Sequence, residues 1–232
     1  MKRILTSLAV YSVAMALLEA AVVVYMRKLY YPDDPLQIFP LKFLSAYDAV
    51  LELSREAATV AMILAVAFLA ERTSQTRTFA AFVFVFGVWD LFYYLWLKVL
   101  MGWPVSWLEW DVLFLIPSVW LGPWLCPAMI SVLFIAWGYF TLQSTRNICF
   151  TRNSVAVFVA GAVLGLVAFL QPAAGELSAG GMAQLSQYTP GDFWWWLFVP
   201  ALAIMAAGLG MTIRATERDE LSGNCDSSGS CD

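Results

Sequence analysis

The chain has 232 residues, of which 61% are hydrophobic and only 13% charged, which excludes an ordinary soluble domain, where about a quarter of residues are charged. A net charge of −4 with no basic patch excludes a nucleic-acid partner. The absence of histidine excludes His-ligated haem, zinc or copper and any histidine proton relay.

The apolar surplus falls into runs long enough for a bilayer, at about 1.5 Å rise per residue across about 30 Å of hydrocarbon. The first run covers residues 4–26. It follows Lys2 and Arg3 in the manner of a secretory signal, but continues through VVVYM to Arg27, longer than a signal's apolar region. An uncleaved spanning helix is therefore expected, carrying Ser12 and Glu19. Residues 29–44, LYYPDDPLQIFPLKFL, read as a rigid solvated loop with the pair Asp33–Asp34. The second run covers 45–70 and the third 79–101. Residues 112–142 are too long for one span. They are interrupted by Pro117, Gly122, Pro123 and Pro127, and proline breaks a helix interior. The pattern predicts a short interfacial or re-entrant piece near 111–118, then a fourth span at 125–142.

The fifth run, 153–171, holds Gly161 and Gly165, and the sixth, 193–213, holds Ala206 and Gly210. Small residues four apart let helices approach closely. Pro200 predicts a kink in the sixth. Residues 172–192 are rich in Gly, Ala and Ser and read as a flexible loop. Cys126, beside Pro127, reads as a packing residue. Cys225 and Cys231 lack a zinc-site spacing. The fold expected is an all-α polytopic membrane protein, a single bundle of about six transmembrane helices within 1–214, with a disordered cytoplasmic tail at 215–232.

Lys and Arg favour the cytoplasmic side. With the N-terminus inside, that side carries Lys2, Arg3, Arg72, Arg77, Arg146, Arg152, Arg214 and Arg218, against Arg27, Lys42, Lys28 and Lys98 outside. Both termini are expected in the cytoplasm, in a prokaryotic plasma (inner) membrane. Trp96, Trp103, Trp107, Trp110, Trp120, Trp124 and Trp194 to Trp196 then map to the outer end. They read as an interfacial belt, or more sharply as walls of a pocket for an apolar ligand, with Trp89 and Trp137 lying deeper.

The second run opens with ELSREAATV, residues 52–60. Glu52, Arg55, Glu56 and Thr59 follow i, i+3, i+4, i+7 spacing and form one helical stripe. Asp90, Tyr93 and Tyr94 share a face of the third helix. Counted from the outer ends, Glu19, Glu52, Glu56 and Asp90 lie about 12–21 Å deep. One polar site enclosed by the first three helices is expected, with Glu19, Glu52, Arg55, Glu56 and Asp90 as its charges and Thr59, Tyr93 and Tyr94 in support. Four carboxylates against one guanidinium leave three negative charges uncompensated, and each intramembrane charge costs at least about 2.5–3.5 kcal/mol. Such a site must hold protons, bind a cation or open to water. Three functions fit. The favoured one is an ion- or proton-binding protein, a small coupled transporter. The second is a membrane enzyme acting on a lipid-like substrate, with a divalent cation held by Glu19, Glu52, Glu56 and Asp90, since oxygen ligands suit hard metals. The third is a non-catalytic subunit of a larger membrane complex. The bilayer is the certain partner, and a homo-oligomer or a larger complex the further expectation.

Overall fold

The computed structural model of the chain describes residues 2–42, 44–116, 118–146 and 148–222. Six helices dominate it: α1 (Lys2–Tyr30), α2 (Ala46–Ala70), α3 (Gln75–Met101), α4 (Leu125–Gln143), α5 (Arg152–Leu185) and α6 (Trp195–Ser222). Each contains a stretch long and apolar enough to cross a membrane, which suggests a membrane location. Between α3 and α4 lies a two-stranded antiparallel hairpin, β1 (Trp110–Phe114) and β2 (Trp120–Pro123).

Local chemistry sets the helix ends. The Ser45 hydroxyl accepts from the Asp48 N–H to open α2, and Ser74 accepts from the Arg77 N–H to open α3. Each such cap contributes about 1 kcal/mol. Gly102 ends α3 at φ 81, a left-handed conformation that glycine adopts without a Cβ penalty. Arg77 closes α4 from a distance. It donates to the carbonyls of Thr141, Leu142 and Ser144 and ion-pairs with Glu71 at 3.0 Å. Burial pushes the Glu71 carboxyl up, but hydrogen bonds from Thr73 and Arg77 outweigh it and leave the group below the usual glutamate range.

Helix α3 is the centre of the bundle, packed on α1, α2 and α4, while α5 pairs with α6. Glycines set the close approaches. A Cβ on Gly87 would lie 2.7 Å from the Ser131 carbonyl, and one on Gly138 2.7 Å from the Ala80 carbonyl, so α3 and α4 meet backbone to backbone. Gly161 faces Met205 and Ala201 across the α5–α6 seam at 2.6–2.8 Å, and Gly208 faces Phe158 at 2.6–2.9 Å. The α6 contact therefore centres on Gly208. A Cβ on Gly210 would meet nothing within 4 Å, and one on Gly165 would touch only Ala201.

Four segments differ from the sequence expectation. Where a short interfacial or re-entrant piece near 111–118 was expected, the described residues of 110–123 form a hairpin. Trp110 pairs with Pro123 and Asp111 with Gly122, and fully buried Leu121 anchors the sheet among Phe169, Phe193 and Phe198. Proline and glycine weaken a helix far more than a short edge strand. Pro117 itself lies outside the described residues. Helix α5 continues past Pro172 to Leu185, with non-helical backbone at Gly180 and Gly181, so much of 172–192 is packed helix, with Ala173 and Leu185 buried. The 29–44 segment folds back on the bundle, burying Ile38 and donating the Lys42 N–H to the Tyr31 hydroxyl. Finally, α6 extends through Ser222, while the rest of the expected tail, with Cys225 and Cys231, lies outside the described residues.

Candidate functional site

Helices α1 and α2 touch only lightly, and charge joins them at mid-length. Arg55 of α2 ion-pairs with Glu19 of α1 and with Glu52 one turn back on its own helix; its Nε donates to Glu52 at 3.0 Å. The Thr59 hydroxyl, one turn beyond Arg55, donates to Glu19. The i+3 and i+4 spacing puts Glu52, Arg55 and Thr59 on one face, and that face meets Glu19.

The other two expected carboxylates stand apart from this network. Glu56 is buried and accepts the Leu115 N–H, just past β1, at 3.0 and 3.1 Å. This satisfies a backbone donor that a strand end would otherwise leave unpaired. Asp90 is buried and accepts from the Ser131 hydroxyl of α4 at 2.8 Å. Both are thus held by neutral donors. Ser12, expected on the same helix as Glu19, donates to its own Leu8 carbonyl and takes no part in the site.

The sequence reading passed over a second buried ion pair. Arg27, near the end of α1, donates to Asp111 of β1 at 3.0 Å and stacks over the fully buried Trp103 ring at 4.0 Å. The two are only 5% and 3% exposed. Burial pushes the Asp111 carboxyl up to about 6, and the charge of Arg27 opposes the shift. Arg27 reads as an end charge on the outer side, and Asp111 lies in the segment read as interfacial or re-entrant, so nothing local pairs them.

The ionisable groups of both networks, with Glu56 and Asp90, line one cavity of about 460 Å³ at the hairpin end of the bundle. Its walls come from α1, α2, α3, the hairpin, the 29–44 segment and the extension of α5. Among the described residues, its carboxylates are Glu19, Glu52, Glu56, Asp90 and Asp111, and its cations Arg27, Lys42 and Arg55. Tyr93 and Tyr94 also line it, and Thr59 closes its floor beside Glu19. Beyond that floor the α1–α2 seam opens again as a shallow groove around Ser7, Tyr11, Val66 and Leu69. Among the described residues, no three of His, Cys, Asp and Glu converge as metal ligands, because Glu19, Glu56 and Asp90 turn to different partners.

Most of the tryptophans assigned to the outer end are packed against the bundle. Of the nine assigned to the outer end, only Trp107 and Trp196 are largely exposed. Trp103 and Trp110 are buried, Trp120 stacks on Phe169, and Trp96 donates to the Val13 carbonyl in the middle of α1. They build a packed aromatic layer. The ring that does line the cavity is Trp89, one of the two placed deeper.

No protein-family model, curated protein or solved structure matches the chain.

Proposed function

We propose that the chain is a small integral membrane protein that takes up a cation or exchanges protons at the cavity enclosed by α1, α2, α3 and the hairpin, within an ion- or proton-coupled transport cycle. One observation carries this reading: the cavity lining holds five carboxylates against three cations, and Glu56 and Asp90 have only neutral hydrogen-bond donors. A lining with that excess attracts protons or a cation. The seam between α1 and α2 supports transport over static binding. At the hairpin end it borders the cavity, and Glu19, Arg55 and Thr59 join across it at mid-depth. A charged latch whose partners a proton or cation can exchange is a two-state element of the kind coupled carriers need.

In the bilayer, six crossings return both termini to one side, and the Lys and Arg bias supports the reading that this side is the cytoplasmic face of a plasma membrane. The valines Val155, Val159, Val163 and Val167 form an exposed i, i+4 row on α5, which suits lipid or a second copy in a homo-oligomer. The carboxylate-metal enzyme gains no ligand set from this arrangement. The test is reconstitution into liposomes with imposed proton and cation gradients. Gradient-dependent flux in the wild type, lost in Glu56→Gln and Asp90→Asn, supports the proposal. Flux insensitive to both substitutions, or absent in folded wild type, defeats it.

A further inference from the structure

The cavity is far larger than an inorganic ion requires. At about 460 Å³ it falls in the range of small-molecule sites, roughly 300–1,000 Å³, and a single water occupies only about 30 Å³ of liquid. Much of its wall is apolar or aromatic, including Val23, Met26, Leu53, Trp89, Phe114 and Leu177. Leu53, also in the lining, is 38% exposed on α2, so the apolar wall reaches the surface of that helix. Polar atoms in the same lining are left without partners. Asp111 Oδ2, Arg27 Nη1 and Trp89 Nε1 are buried and make no hydrogen bond.

We infer that the ligand of this cavity is an ammonium-bearing amphiphile: a protonated amine on an apolar chain, with an oxygen acceptor close to the nitrogen. This rests on the ion-site reading above and names its ligand class. The ammonium N–H groups supply donors to Asp111 Oδ2 and a positive charge to a lining in which five carboxylates face three cations and Asp90 is held by a neutral hydroxyl. The neighbouring oxygen accepts from Arg27 Nη1 and Trp89 Nε1. Trp89 and Tyr93 offer rings of the kind that attract organic cations. The chain lies along the apolar wall and reaches the surface beside Leu53. An anionic amphiphile would instead place negative charge among five carboxylates that already outnumber the three cations of the lining.

The experiment uses the full chain in nanodiscs of zwitterionic lipid, with empty discs subtracted. Calorimetric titration is run with dodecylammonium, dodecyl sulfate and dodecanol, which share a chain and differ in head group. Dodecylammonium should bind at least about tenfold more tightly than the other two, a difference of about 1.4 kcal/mol. Asp90→Asn, which keeps an acceptor for Ser131, and Asp111→Asn should each weaken dodecylammonium by a similar factor without changing dodecanol. Equal or tighter binding of dodecyl sulfate or dodecanol overturns the inference. If no chain-bearing probe binds while small-cation or proton flux persists, the ligand class falls and the ion site stands. If binding and flux are both absent in folded protein, both readings fall.

Discussion

The two helix seams of this molecule are built on opposite principles. Between α5 and α6, Gly161 and Gly208 bring backbones together until a single Cβ would collide. Between α1 and α2 there is little direct packing, and Arg55 pairs across the seam with Glu19 and along its own helix with Glu52, beside the cavity. A close-packed seam has no alternative arrangement at low cost. A charge-bridged seam has one whenever a proton, a cation or water replaces the bridge. Small residues thus make the rigid half, and the ionisable stripe makes the half that can open.

Removing the bridge should have the largest effect. Arg55→Met leaves Glu19 and Glu52 facing each other without a counter-charge, and loss of one member of a buried pair costs about 3–5 kcal/mol. Arg55 keeps some solvent contact, so the lower end is expected. The check is thermal unfolding in detergent. Glu19→Gln with Glu52→Gln, added to Arg55→Met, should recover most of the loss. A failure of that pair to rescue would mean the arginine acts through packing alone, and the contrast between the seams would dissolve.

Gly208→Val attacks the other seam. The new side chain meets the Phe158 backbone at 2.6–2.8 Å, and overpacking of this kind costs about 1–3 kcal/mol. Gly210→Val, two positions on in open space, should be close to neutral. Equal loss at both positions would show that α6 does not dock as described.

The Arg27–Asp111 pair gives a pH signature. The folded carboxyl sits near 6, above the usual aspartate value of about 3.9. The folded state therefore holds this proton more tightly than the unfolded chain. The stability it contributes is fully present below about pH 4 and is lost as the pH rises through about 6. Wild-type stability measured relative to Asp111→Asn should fall between pH 4 and pH 7. A difference that is flat or rises over that window would mean Arg27 compensates the carboxylate fully.

Much of this arrangement is legible in the amino-acid sequence, for reasons that also explain the rest. The six helices follow from apolar run length, because a bilayer-scale run has few other uses. The grouping of Glu52, Arg55 and Thr59 follows from helical spacing, and their meeting with Glu19 from depth. Ser131 as the partner of Asp90 could not be read, since one hydroxyl in an apolar helix looks like any other. The Arg27–Asp111 pair spans 84 positions and joins a helix end to a strand, a contact no local period encodes. The extension of α5 past Pro172 was hidden by its Gly, Ala and Ser content. There tertiary burial of Ala173, Leu177 and Leu185 against the hairpin layer overrides weak propensity.

The smallest expected effect concerns the tryptophans. Trp107 and Trp196 are the two of the outer set that remain largely exposed, so Trp107→Leu and Trp196→Leu should change stability by no more than about 0.5 kcal/mol and leave gradient-dependent flux within about twofold, since neither ring lines the cavity. Glu52→Gln and Glu56→Gln should impair flux far more, because one removes the charge of an arm of the Arg55 bridge and the other a carboxylate charge from the cavity lining while keeping an acceptor for the Leu115 N–H. If an exposed tryptophan proves as sensitive as these glutamates, the working surface lies on the outer rim of the bundle, and the polar cavity serves only to hold the hairpin in place.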